Sequence, residues 1–320
     1  MTDINIDHFI SDDSDELNTE STVKEVSALP LPKIINERYK IKRVLGVGGM
    51  GIVYQVEDLL LKSIGLNNYH MAIKVLNSEA SHFADADLLL VNEYIQSSHL
   101  HHPNIVSIQH LAVCNESQRG FLIMPVIKGE LLSLLLDSPF ENIPIDARLK
   151  YAYSLINCIH HCHKRGVIHG DLKPGNILIS DSNELFLFDF SISRNLDPEK
   201  NKFTINFNQV HAWSGDYAAP EVLQGNAPTI KSDLYSLAIL LYKLLLRVHP
   251  YQQDKKDELK PRTKEEQKLH HILLQAMRPI PSERQLNFKA LLNIFKEMKN
   301  HQIDNHTPIM KKVTSIFSKK

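Results

Sequence analysis

The stretch Val167-Ile-His-Gly-Asp-Leu-Lys-Pro-Gly-Asn-Ile-Leu178 constrains this chain more than any other. Short apolar runs, rich in Val, Ile and Leu, stand on both sides and read as strands. Between them His169, Asp171, Lys173 and Asn176 share one short loop. A chance surface turn would hardly combine an acid, a cation and an amide between two apolar strands. Residues presented by loops on rigid elements are often functional.

A glycine cluster precedes it, Gly46-Val-Gly48-Gly49-Met-Gly51. On its own this G-x-G-x-x-G is weak evidence. It would fit a dinucleotide fold if it joined a strand to a helix. Here Ile52-Val53-Tyr54 follows, which prefers strand. A hairpin whose bare backbone lies over phosphates is the better reading, and an ordinary flexible turn is the bland one. Met71-Ala72-Ile73-Lys74 then ends an apolar strand on a lysine, ordinarily a surface charge.

The periodicities divide the chain. Residues 1–37, with Asp12, Asp13, Asp15 and Glu16 clustered and Pro30 and Pro32 near the end, are expected to form a flexible acidic tail. Tyr39–Leu45, Ile52–Glu57, Met71–Leu76 and Phe121–Val126 read as strands. Leu88–Leu100 and Ala147–His163 read as helices, the latter with apolar residues three and four apart. A strand-rich part therefore precedes a mainly helical part, with no internal repeat.

Together these segments resemble the protein kinase family. The lysine two after Asp171 matches its serine/threonine branch, and the Gly-Gly-Met-Gly loop is most like bacterial members of eukaryotic type. The resemblance runs from about Tyr39 to Phe295. It implies an α+β, two-lobed protein kinase fold: a small antiparallel-sheet N-lobe with helix αC, and a larger, mainly helical C-lobe. The boundaries it implies are a kinase domain over 38–300, with N-lobe 38–124, hinge 125–129 and C-lobe 130–300, then a basic C-terminal tail over 301–320.

Roles follow from the resemblance. Asp171 would accept the substrate hydroxyl's proton, Lys173 would neutralise the transferring phosphate, and Asn176 would hold magnesium. Leu187-Phe188-Asp189-Phe190-Ser191 is similar to the family's D-F-G, with Asp189 a second magnesium ligand and serine in place of glycine. Lys74 would hold the α- and β-phosphates, fixed by Glu93 on helix αC; the bland reading of Glu93 is a solvated helix charge. Leu45, Gly46, Gly48, Gly49 and Gly51 would cover the nucleotide. Val53, Ala72 and Leu178 would wall the adenine. Met124 would be the gatekeeper, with the Pro125 carbonyl and Ile127 N–H meeting the adenine edge. The cofactors implied are ATP and magnesium, with manganese as its substitute. Ala219-Pro-Glu221, Asp233 and Arg284 resemble structural residues of the family, Arg284 as the partner of Glu221. The family's arginine before the catalytic aspartate is absent, since Gly170 stands there. Switching without phosphorylation of the segment's one threonine, Thr204, is therefore expected.

The partners implied are protein substrates bearing serine or threonine. Two other readings stay open: a small-molecule kinase of the aminoglycoside phosphotransferase type, which often reads His-Gly-Asp here, and a pseudokinase scaffold, which Ser191 and Ser97 favour slightly. A net charge of −1 gives no global field for nucleic acid. Three sparse cysteines make no disulfide framework, so a reducing compartment is expected, and Cys158 and Cys162 read as core residues. No secretory signal is visible, and the expected location is cytoplasmic, in its own cell or in a host cell if exported. Leu234–Leu246 is too short to span a bilayer and reads as a buried helix. The histidines at 99–102 and 160–163 read as exposed helix-end residues. Apolar residues at helical spacing over 309–320, among lysines, read as a docking element for anionic lipid or an acidic partner.

Overall fold

The computed structural model describes residues 31–48, 51–76, 86–137, 143–201, 215–251, 261 and 263–300. They fall into two compact units. One comprises the residues before 88 together with 111–126; the other comprises 88–110 and everything from 127 on.

The first unit is a six-stranded antiparallel sheet in the order β1-β2-β3-β4-β6-β5. The strands are β1 (Ile34–Ile35), β2 (Tyr39–Val47), β3 (Gly51–Asp58), β4 (His70–Leu76), β5 (His110–Val113) and β6 (Gly120–Pro125). Alternation along β3, β4 and β6 sends Ile52, Tyr54, Val56, Met71, Ile73, Val75, Phe121 and Ile123 to one face, which forms this unit's core. Between β3 and β4 a short helix, α1 (Leu59–Ser63), is started by Asp58. The Asp58 carboxylate accepts the Leu60 and Leu61 N–H groups and is gripped by Arg38 at 2.7–3.1 Å.

One boundary differs from the expectation. The tail over 1–37 ends earlier: β1 pairs with β2, and Ile35 is fully buried in the core. Two residues are too short for a strand pattern to register. Helix α2 (Ala86–Ser97) follows β4, and the division between the two units falls within it, at residue 88. Beyond it, Leu100 and Ile105 lie in the second unit's core.

That second core is built around α6 (Ile230–Leu246), in which Leu237, Ala238, Ile239 and Leu241 are fully buried. The apolar run at 234–246 is thus a core helix, apolar nearly all round. Thr229 and Ser232 form a reciprocal capping box at its start. Around it lie α3 (Leu132–Asp137), α4 (Ile145–Lys164), α5 (Pro220–Leu223), α7 (Lys264–Ala276) and α8 over residues 288–300. Two small sheets complete the unit. One has the order β10-β9-β7, from Leu185–Leu187, Ile177–Ser180 and Gly129–Leu131. The other pairs β8 (Val167–Ile168) with β11 (Arg194–Asn195). Cys158 and Cys162 are buried core residues on α4, as read from sequence. Burial pushes the Cys158 thiol up to about 12.

Candidate active site

The first unit presents its nucleotide-binding candidates on the sheet face opposite its core. Opposed residues of an antiparallel pair share a face, and so do residues two apart on one strand. Val53 opposes Lys74, which opposes Leu122; Ala72 opposes Met124. Val53, Ala72, Lys74 and Met124 therefore line one face. Lys74 is buried, with 7% exposure. Leu45 sits at a register irregularity between Val44 and Gly46, and Pro125 ends β6.

The glycines of the hairpin divide into two kinds. A Cβ on Gly51 would lie 2.5 Å from the Val75 carbonyl oxygen, so packing against β4 demands glycine there. Around Gly46 a Cβ would meet nothing within 4 Å, and at Gly48 only the Gly51 oxygen at 3.7 Å. Internal packing does not require glycine at those two positions. Gly48 and Gly51 exchange backbone hydrogen bonds of 2.8 and 3.3 Å; Gly49 lies outside the described residues.

In the second unit the loop after β8 is held from below by Asp233 on α6. Its Oδ2 accepts the His169 N–H at 2.9 Å and its Oδ1 accepts the Gly170 N–H at 2.9 Å. His163 Nε2 lies 2.8 Å from the same Oδ2. A carboxylate with 1% exposure needs such partners. His169 is wholly buried, and burial lowers its pKa against the opposing pull of Asp233, Asp171 and Asp189. The neutral ring donates from Nε2 to the Phe188 carbonyl at 3.2 Å and accepts the Asp171 N–H at Nδ1 at 3.3 Å. The loop and the segment bearing Asp189 are thereby locked together, with Phe188 N–H donating to the Asn176 carbonyl at 3.1 Å.

Asp171, Lys173 and Asn176 converge. Lys173 Nζ lies 2.7 Å from Asp171 Oδ2, and Asn176 Nδ2 donates to the Asp171 carbonyl at 2.8 Å and to Oδ2 at 3.0 Å. Pro174–Asn176 forms a single 3-10 turn that brings these side chains together. With its NH2 end committed, Asn176 has its carbonyl oxygen left for a cation. Asp189 adopts φ +66, and its Oδ1 accepts the Ser191 hydroxyl at 2.7 Å. Phe190 is buried against His169, with ring centroids 4.7 Å apart. An amide carbonyl and a carboxylate are hard oxygen donors, the set that magnesium takes. These residues fit that metal.

Glu93 is on α2 with 3% exposure, so the solvated-charge reading does not hold. Leu178 lies half-buried on β9, and Ile127 begins the second stretch of chain that makes up the second unit. Arg284 and Glu221 meet as expected, by two bonds of 2.6 and 2.7 Å. The other Arg284 N–H groups reach the carbonyls of Arg278, Pro279 and Lys231, so all five donors of this fully buried guanidinium are answered. The histidines are a partial correction. His99, His101 and His160 are exposed, but His102 accepts the Asn104 N–H and His163 bonds Asp233. Among the described residues no group of three or more His, Cys, Asp or Glu is arranged to hold a metal, and no helix is long and apolar enough to cross a membrane. Thr204 and the docking stretch 309–320 lie outside the described residues.

A family model described as the protein kinase domain matches residues 39–305. The chain belongs to the protein kinase family. Similar proteins include a probable serine/threonine-protein kinase of Clostridium acetobutylicum, 29% identical over 69% of this chain and 32% of its own length. The probable serine/threonine-protein kinase PknB of Lactococcus lactis is 31% identical over 71% of this chain and 34% of its own length. Serine/threonine-protein kinase PrkC of Bacillus subtilis is 32% identical, over 68% and 32%. The chain thus spans about a third of the length of these relatives.

Sequence reasoning missed Asn92. Its side chain, buried on α2, donates to the Ser191 and Ser193 carbonyls. A polar residue beside Glu93 gave no sign in the sequence that it would face inward.

Proposed function

We propose that this chain is a serine/threonine protein kinase that transfers the γ-phosphate of ATP to protein hydroxyls. The observation that carries the reading is the Asp171–Lys173–Asn176 cluster, pinned through the loop backbone to Asp233. Both side-chain bonds to Asp171 fall on Oδ2, so Oδ1 is the oxygen offered to a substrate hydroxyl. Asp171 orients that hydroxyl and takes its proton as the new oxygen–phosphorus bond forms and the bond from the γ-phosphorus to the bridging oxygen breaks, with ADP leaving. Lys173 offsets charge on the transferring group. Asn176 and Asp189 would hold magnesium, which when bound neutralises phosphate oxygens. Lys74 is assigned to the α- and β-phosphates and Glu93 to fixing that ammonium. Val53, Ala72, Leu178, Met124, Pro125 and Ile127 are assigned to the adenine, and the glycine hairpin to the phosphates. The protein substrate, magnesium with manganese as its substitute, and a reducing cytoplasmic setting belong to the same proposal.

The test is turnover of Lys74→Ala and Asp189→Ala. Each is expected to lower kcat by roughly a hundredfold or more, the scale of a lost preorganised electrostatic contact, in variants that still unfold cooperatively. A folded variant that keeps near wild-type turnover would overturn the assignment.

A further inference from the structure

Helix α2 buries four polar side chains within two turns: Asn92, Glu93, Gln96 and Ser97, at 6, 3, 2 and 4% exposure. A helix packed by apolar contact alone would carry Leu or Ile there. A buried polar group without a partner is costly, so each must be answered. Ser97 Oγ answers within the helix, donating to the Glu93 carbonyl at 2.6 Å. Asn92 answers outside it. Its Nδ2 donates to the Ser191 carbonyl at 3.0 Å and to the Ser193 carbonyl at 2.8 Å. Gln96 Nε2 lies 3.4 Å from Asn92 Oδ1, which keeps the NH2 end turned toward those carbonyls.

The turn so gripped is the one that sets Asp189. Ser191 and Ser193 have 3 and 1% exposure, so their carbonyls depend on a protein donor. Ser191 Oγ donates to Asp189, and Ser193 Oγ donates to the Phe190 carbonyl at 2.6 Å. One amide thus joins the helix that carries Glu93 to the backbone that orients Asp189.

We propose that Asn92 is a positioning residue, a neutral latch that keeps helix α2 and the turn after Asp189 in one arrangement competent for phosphoryl transfer. The proposal rests on the kinase reading for its consequence, but not for its geometry. It needs no charge on the segment that follows Asp189, and Gly170 supplies no side chain to read one.

The test uses the full chain with Asn92→Leu and Asn92→Asp. Amide hydrogen exchange over residues 190–196 is expected to rise about tenfold in Asn92→Leu, the effect of losing one to two net hydrogen bonds from a local opening equilibrium. The kcat falls by a similar factor while unfolding stays cooperative. Asn92→Asp separates a latch from mere packing. Its carboxyl can donate one bond when protonated, and its carboxylate faces two carbonyls when not. The ratio of its exchange to that of wild type therefore climbs as pH rises through the carboxyl's titration. Glu93, adjacent on α2, and Asp189, joined through Ser191, are present in both proteins, so the variant is read against wild type at each pH. A folded Asn92→Leu with unchanged exchange overturns the latch, and so does a flat pH ratio for Asn92→Asp. If Asn92→Leu does not fold, the pH ratio alone decides. Failure of the wild type to transfer phosphate would defeat the kinase reading, while the exchange ratio would still decide the latch.

Discussion

At Gly170 the backbone has φ +84, and a Cβ there would lie 3.0 Å from Pro228 and 3.1 Å from the Ile192 carbonyl. Glycine therefore relieves a left-handed conformation that the two Asp233 bonds impose on this loop. Restoring the family's arginine by Gly170→Arg is expected to lower stability by about 1–2 kcal/mol, the usual cost of a left-handed non-glycine residue. A urea midpoint read against wild type checks this, and an unchanged midpoint would mean that the loop has another conformation open to it. Ser191 is the other departure from the family pattern. The structure adds a direct bond from its hydroxyl to Asp189, a contact that glycine could not make.

The glycine hairpin between β2 and β3 separates folding from function within one element. Gly51→Ala is expected to destabilise by about 1–3 kcal/mol, because its methyl meets the β4 backbone. Gly46→Ala has open space and should leave unfolding unchanged. If the hairpin covers phosphates, the same variant should raise KM for ATP by roughly tenfold, equivalent to about 1.4 kcal/mol. Calorimetry and initial rates on both variants check the contrast; an unchanged KM would return Gly46 to an ordinary turn. Elements with strong local signals were legible from sequence. The alternation of β3 and β4, and the three-and-four spacing of α4, name their core faces directly. Helix α1 was not, because five residues give no period and its start depends on Asp58 being held by Arg38, twenty positions earlier. Nor was the inward face of α2. Polar side chains give no apolar period, and what turns Asn92 inward is the pair of carbonyls at Ser191 and Ser193, far along the chain.

Across the whole chain, acid sensitivity follows from histidines. Burial, the largest cause in each case, lowers the pKa of His102, His161, His169, His249 and His270 below the usual value. The unfolded chain then binds more protons than the folded one between the folded pKa values and about 6.5. Stability from these groups is present above about pH 6.5 and is lost as pH falls below it. The urea midpoint at pH 5.5 should lie below that at pH 7.5, and equal midpoints would contradict the neutral state assigned to His169. At this level the family was legible because its chemical residues recur in order along 39–305.

The most direct test of the account is transfer of labelled γ-phosphate from ATP to a generic protein substrate by wild type and Asp171→Asn, followed by phosphoamino-acid analysis. The account predicts label on serine and threonine with wild type, and a loss of roughly a hundredfold to ten-thousandfold in Asp171→Asn, the range of a positioned general base. Protein left unlabelled by a folded wild type that binds ATP, or equal labelling by both forms, would contradict it.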